Sequence, residues 1–425
     1  MKQAFLIRLA SVVVMVAVIC VATAPAPIQA EERIFTLQEI MAIARVSNGE
    51  LKALREEVGV AEAGKIKAGL YPNPVLDMEG STGAYTGNMF EDRVSIGLSQ
   101  EFLTGGKRDK RLTVAKNELV RCGSRINDAE RLLLLEVKTA FYDLLLAERR
   151  LELERKSQGL NNQLLQITKE QLAAGDRARL DVNLAKVENT RSEERKIEAE
   201  RELAPAYQKL LSLMGVPMSM DLKIAASPEI KLFVENLADL KVLALKNRPD
   251  LQTIISEKSK GEAEITLAQA ERLPNVTAGV FFSREDSSTS GSTDDRSTDD
   301  LIGLKLSVPI QFFDRNQAGI REAQVKKSSA GIRQASVQQS IEREVEAAHA
   351  RLAAAEKSEN IYAKEILPQL NENLRMIEKA YRLGEVGIQV MIEEQKKYIE
   401  VNDGYLVALY NKNIAVAKLE AAVGI

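Results

Sequence analysis

The chain is written twice. Gly175-Asp176, preceded by Gln171-Leu172-Ala173-Ala174, is echoed by Gly384-Glu385, preceded by Ala380-Tyr381-Arg382-Leu383, 209 residues on. Leu213-Met214-Gly215 meets Ala422-Val423-Gly424 at the same offset. Upstream, Leu98-Ser99 matches Leu306-Ser307 at 208, Tyr71-Pro72-Asn73 matches Leu273-Pro274-Asn275 at 202, and Asn48-Gly49-Glu50-Leu51 matches Arg248-Pro249-Asp250-Leu251 at 200. The offset drifts mainly across one polar loop, as an insertion there requires. Each half reads helix, strand, polar loop, strand, very long helix, Gly-marked turn, long helix. That pattern displaces the roughly two to four globular domains that length alone would suggest.

From Lys107 to Ala174 there is no Pro and only Gly123 and Gly159, so one nearly unbroken helix would run ~100 Å at 1.5 Å per residue. Its seam is Leu112, Ala115, Leu119, Cys122, Ile126, Ala129, Leu133, Val137, Ala140, Leu144, Ala147 and Leu151. Spacings of three and four alternate, apart from one stutter at Val137, which is a coiled-coil pattern. The second half repeats it with Val337, Ile341, Val345, Ala348, Leu352 and Ala355, and Pro368 predicts a break or kink. Aromatics are 4% of the chain and Trp is absent; narrow Leu/Ala seams need few of them.

Residues 1–30 carry Lys2 and Arg8, an apolar run from Leu9 to Ala22, and a Pro/Ala-rich stretch ending Ile28-Gln29-Ala30. This is the layout of a secretory signal peptide. Its removal leaves 56 of the 58 basic residues against 61 acidic ones, with no basic field for nucleic acid. Ile19 before Cys20 argues against a lipid-acceptor cysteine, and Cys122 then has no partner for a disulfide. The expected organisation is a signal peptide at 1–30, a first repeat at 31–215, a linker at 216–235 and a second repeat at 236–425. After the signal no apolar run reaches the ~18 residues of a helical span, so strands must make any membrane crossing.

The strands show themselves by alternation. Val94, Ile96, Leu98 and Phe102 alternate with Ser95, Gly97, Ser99 and Glu101; Ile302, Leu304, Leu306, Val308 and Ile310 alternate with Gly303, Lys305, Ser307, Pro309 and Gln311. Their upstream partners are Val75 to Glu79 and the run containing Val280 and Phe282. Strands with one apolar and one polar face, joined by the polar loops 80–92 and 285–300 in an exported chain, fit a transmembrane barrel better than a soluble sheet. The lipid-facing set is then Val94, Ile96, Leu98, Val280, Phe282, Ile302, Leu304 and Leu306. Four strands cannot close a barrel, since about eight are needed, so the chain must oligomerise.

No catalytic, cofactor or metal constellation emerges. His349 has no His or Cys at helical spacing, which makes a poor transition-metal site. Gly105-Gly106-Lys107 lacks the upstream glycine of a phosphate loop and reads as a strand-to-helix junction, matched by Phe313-Asp314-Arg315-Asn316.

The duplicated layout, Tyr71-Pro72-Asn73-Pro74 before the first strand, and the turns at Gly175 and Gly384 resemble the outer-membrane efflux family of TolC-like channels. The likeness covers the whole mature chain. The segment from Val308 to Gly319 is similar to the cobalt-zinc-cadmium, heavy-metal efflux branch. The resemblance implies a mainly α fold with a small β part, a homotrimer with a shared twelve-stranded barrel in outer-membrane lipid, and an α-helical periplasmic tunnel. It implies a passive duct rather than an enzyme, working with a periplasmic adaptor and an inner-membrane pump of the resistance-nodulation-division type. The adaptor would dock on the hairpin tips at Gly175, Asp176, Arg177, Gly384, Glu385 and Gly387. Candidates for a periplasmic constriction are Asp181, Glu393 and Glu394, with Val390 standing where the family often has Asp. The cargo would be heavy-metal cations, or alternatively drugs or organic solutes; a periplasmic coiled-coil scaffold is the competing class, but it leaves the strands idle.

Overall fold

The computed structural model describes residues 34–85, 91–225, 236–288 and 296–425. The expected signal peptide, residues 226–235 of the expected linker and the tips of the two polar loops lie outside the described residues.

A short β1 (Ile34–Phe35) pairs in parallel with β4 (Lys223–Ile224). Helix α1 (Leu37–Ser47) starts at a capping box, Thr36 and Glu39 each serving the other's backbone N–H. It runs into α2 (Gly49–Gly69), capped by Asn48. Strands β2 (Val75–Thr82) and β3 (Asp92–Phe102) follow, then α3 (Lys107–Ala174) and α4 (Arg179–Met214). The second half gives α5 (Leu237–Asn247), α6 (Pro249–Ala270), β5 (Val276–Ser288), β6 (Arg296–Ser307), α7 (Gln317–Ile361), α8 (Leu367–Arg382) and α9 (Ile388–Val423).

Charge pairs recur with the repeat. Arg125 lies 3.4 Å from Glu57 and Arg333 lies 3.3 Å from Glu257, the same helix-to-helix pair in each half. The strand-to-helix junctions recur too: α3 starts after Gly106 at φ 67° and α7 after Asn316 at φ 56°. Lys107 is buried there and donates to the Leu273 carbonyl at 2.6 Å, a structural tether between the halves.

The 68-residue α3 has the bounds its missing prolines predict. Of the expected seam, Val137, Ala140, Leu144, Ala147 and Leu151 are buried, whereas Leu112 to Leu133 are half-exposed in the single chain. Below Leu151 the buried line continues through Ser157, Asn161, Leu164 and Thr168, and the three polar members hide it from hydrophobic periodicity. Two equivalent cores close the middle of the molecule, one around Ile40, Ala44, Phe141 and Leu211, the other around Leu240, Ala244, Ile341 and Leu419.

The break expected at Pro368 is a π-helical turn over Tyr362–Ile366, just before the proline. Proline has no N–H to donate to its i−4 carbonyl and its ring crowds that carbonyl; the helix widens just upstream, where Leu367 N–H donates to the Tyr362 carbonyl. The bulge sets the Tyr362 hydroxyl against Gly404 of α9, where a Cβ would come within 2.7 Å of it. Pro205 lies inside α4 without ending it.

Candidate functional site

The four strands form one antiparallel sheet in the order β2-β3-β5-β6, so β3 and β5 join the two repeats. Opposed residues share a face, and the register assembles apolar rows: Leu76, Leu98, Val280 and Leu304 in one, Met78, Ile96, Phe282 and Ile302 in the next. All eight residues expected to face lipid are exposed, as far as 86% at Ile302 and 85% at Leu304. Leaving Ile and Leu this open across a whole sheet face is intelligible only if another apolar phase covers them. The row beyond contains Arg284, paired to Asp300 at 2.8 Å, and ends the apolar band.

The opposite face carries Asp77, Glu79, Ser95, Ser99, Ser283 and Lys305 around one aromatic, Phe281. The Phe281 ring lies over Gly303, where a Cβ would approach it to 2.4 Å. A polar face behind an apolar one is the arrangement that a wall between water and lipid requires. The strands reach further than their alternation shows: β5 runs to Ser288 and β6 starts at Arg296, so residues expected in the loop are strand, with Thr298 donating to Asp286 at 2.6 Å. Val308 and Ile310, expected to prolong β6, lie past its end at Ser307.

At the other end of the molecule the α3–α4 and α8–α9 turns are closed alike. Gly175 at φ 87° and Gly384 at φ 77° take the left-handed conformation. Asp176 N–H donates to the Gln171 carbonyl and Glu385 N–H to the Ala380 carbonyl, each at 2.9 Å. Gly387 precedes α9 as its N-cap. Arg177 joins the two tips, donating to the Val386 carbonyl at 3.0 Å, with its guanidinium 4.9 Å from the Tyr381 ring centre. The buried Tyr381 hydroxyl meets Thr168 Oγ1 at 2.8 Å. This latch was not legible in the sequence, because Arg177 and Tyr381 are far apart in the chain and neither belongs to the apolar pattern.

Asp181 lies in the first turn of α4 and Glu393 is exposed on α9. Glu394 is only 8% exposed, turned into the protomer and 3.8 Å from Lys397. A single chain does not bring these carboxylates together. Higher up, Glu118 of α3 receives Arg121 at 2.5 Å and Lys260 of α6 at 2.9 Å. The hydrogen bond from Arg121 is the main reason its carboxyl is held down at about 2, against the opposing pull of burial. Burial pushes the Cys122 thiol up. Among the described residues no group of three or more His, Cys, Asp or Glu could hold a metal ion, and no helix is long and apolar enough to cross a membrane.

The model of the family described as outer membrane efflux protein matches residues 43–216 and 240–425, one match on each repeat. The chain belongs to the outer membrane efflux protein family. It is 22% identical over 405 residues to the cobalt-zinc-cadmium resistance protein CzcC of Cupriavidus metallidurans, covering 92% of this chain and 90% of that one. Its fold matches the transmembrane channel CusC with a TM-score of 0.74 at 18% identity, over 91% of this chain and 92% of that one. The outer-membrane channel OprN matches with a TM-score of 0.75 at 16% identity, over 91% and 89% of the two chains. Membership makes this an outer-membrane efflux channel protein, with the sheet as its membrane part and the helical hairpins as its periplasmic part. The efflux family consists of channels rather than enzymes.

Proposed function

We propose that the chain is the outer-membrane duct of a tripartite heavy-metal efflux system. Three copies would close a twelve-stranded barrel and extend it as a helical tunnel. The observation carrying this reading is the one-sided sheet, apolar on one face and polar on the other, set at the end of two latched hairpins ~100 Å long. Transport needs no catalytic group here; an inner-membrane pump supplies the energy and a periplasmic adaptor bridges the gap.

The adaptor docks on the tips at Gly175, Asp176, Arg177, Gly384, Glu385 and Gly387. Gly175, Asp176, Gly384, Glu385 and Gly387 are exposed, and Arg177 holds the two tips as one surface. Asp181 and Glu393 supply the narrow end of the tunnel with carboxylates, which threefold symmetry turns into rings that favour cations. Glu394, buried in the protomer, serves the wall rather than the ring.

Heavy-metal cations are the preferred cargo because of the similarity to CzcC along most of both chains. Deleting the gene and measuring tolerance to zinc, cobalt, cadmium, nickel, copper and silver beside organic drugs tests this. Metal sensitivity restored by the wild-type gene is expected; sensitivity to drugs alone would overturn the cargo and leave the duct.

A further inference from the structure

The duplication does more than build one chain; it contains the geometry of the junction between chains. Within the protomer the second strand of repeat one, β3, pairs with the first strand of repeat two, β5, while β2 and β6 stand as the free edges of the sheet. Closing a ring must join the second strand of one repeat two, β6, to the first strand of the next repeat one, β2. That is the β3–β5 junction over again, shifted by the repeat offsets. Hydrocarbon offers an unpaired backbone N–H or C=O no hydrogen-bond partner, so the two edges need each other.

The offsets are fixed by the structure as well as by the sequence. Within the first hairpin Val75 opposes Ser99, and within the second Thr277 opposes Ser307. Val75 to Thr277 is 202 residues and Ser99 to Ser307 is 208, the same offsets that align Asn73 with Asn275 and Leu98 with Leu306. In the internal junction Gly97 opposes Phe281 and Leu98 opposes Val280. Moving Gly97 and Leu98 forward by 208 gives Lys305 and Leu306; moving Phe281 and Val280 back by 202 gives Glu79 and Met78.

We propose that β6 of one copy pairs antiparallel with β2 of the next, with Lys305 opposite Glu79 and Leu306 opposite Met78. This rests on the trimeric reading above and gives it a register. Three features carry it. The faces agree, since Leu306 and Met78 both lie on the face of the apolar rows and Lys305 and Glu79 both lie on the opposite, polar face. The charges agree, and the side chains of Lys305 and Glu79 make no hydrogen bond or ion pair with a described residue. The helices agree: Asn117 of α3 donates to the Ser259 carbonyl of α6 at 3.2 Å, and the same shift, with the 200-residue offset of the helices, sets Val325 of α7 against Gly59-Val60 of the next copy. Val325 and Val60 are both exposed in the single chain and would cover each other. The register advances four residues per copy, a strand tilt of ~35° for strand spacings of about 4.8 Å, inside the range of closed barrels.

The test is disulfide cross-linking in outer membranes, in a Cys122→Ala background. Directly opposed residues have Cβ atoms about 5 Å apart, within disulfide reach, whereas diagonal ones lie near 7–8 Å, beyond it. Glu79→Cys with Lys305→Cys should give covalent dimers and trimers on a non-reducing gel. Lys305→Cys paired with Asp77→Cys or Ser81→Cys should give at least ten-fold less, and each single cysteine none. A trimer in detergent that cross-links through Asp77 or Ser81 instead overturns the register while the trimer stands. A trimer that cross-links through none of the pairs shows that these edges do not meet. A protein that is monomeric in detergent fails the trimeric reading, and this inference with it.

Discussion

The guanidinium of Arg177, on the first hairpin tip, stacks 4.9 Å from the ring centre of Tyr381 on the second and donates to the Val386 carbonyl beyond it at 3.0 Å. The position equivalent to Arg177 in repeat two is Val386 itself, and the one equivalent to Tyr381 in repeat one is Leu172. The latch therefore exists once per chain. Arg177→Ala should loosen both tips by about 1–2 kcal/mol, from the lost stacking and hydrogen bond. Hydrogen exchange at residues 170–180 and 380–388 should quicken about ten-fold. Arg177→Lys should recover only part of the protection, because an ammonium cannot stack and fork as a guanidinium does. Unchanged exchange in Arg177→Ala would show the contact to be idle.

The two sheet faces should respond differently to charge. Leu304→Arg places a guanidinium in the apolar band and should cost ~2–4 kcal/mol at mid-membrane depth. Ser307→Arg, on the polar face at the end of β6, should assemble nearly as wild type. Counting folded protein in outer-membrane fractions distinguishes them, and equal losses would refute the assignment of faces.

Acid should weaken the contact between the repeats at Glu118. Its folded carboxyl is held at about 2, below its ordinary 4.5, so the fold favours the charged form. The stabilisation is whole above pH 4.5 and is lost as pH falls toward 2. Melting of detergent-solubilised protein at pH 3 and pH 6 should differ less in Glu118→Gln than in wild type. An equal acid response in both would remove Glu118 as a cause.

Glycines divide by conformation. Gly215 sits at φ 66°, and a Cβ there would come within 2.4 Å of the Ser47 carbonyl oxygen. Gly159 lies within α3 with open space around it. Gly215→Ala should destabilise by more than ~1 kcal/mol, whereas Gly159→Ala should stabilise by about 0.5–1 kcal/mol. Denaturation midpoints moving in the same direction would contradict this.

Much of this architecture was legible because repeats and periodicities are local. The bounds of α3 follow from the absence of proline between Lys107 and Ala174, and the exposed apolar face of the sheet follows from alternation at Val94 to Leu98 and Ile302 to Leu306. What was hidden depends on partners distant in sequence. The buried line of α3 below Leu151 is carried by Ser157, Asn161 and Thr168, which no apolar count finds; Thr168 is buried because Tyr381 supplies its hydrogen bond. The ends of β5 and β6 are held by cross-strand polar pairs such as Arg284 with Asp300, which composition alone assigns to a loop. At the tips the glycines were legible from their chain position, whereas the Arg177 latch between them was not. Equivalent acidic residues, Glu393 and Glu394, look alike in sequence and differ in burial because helix α9 turns only one of them inward.

The central claim is that this duplicated chain is one third of a duct through the outer membrane. The most direct measurement is the mass of the protein after membrane fractionation and gentle detergent extraction. A trimer recovered from the outer membrane is the predicted result. Release by osmotic shock as a water-soluble protein would contradict it.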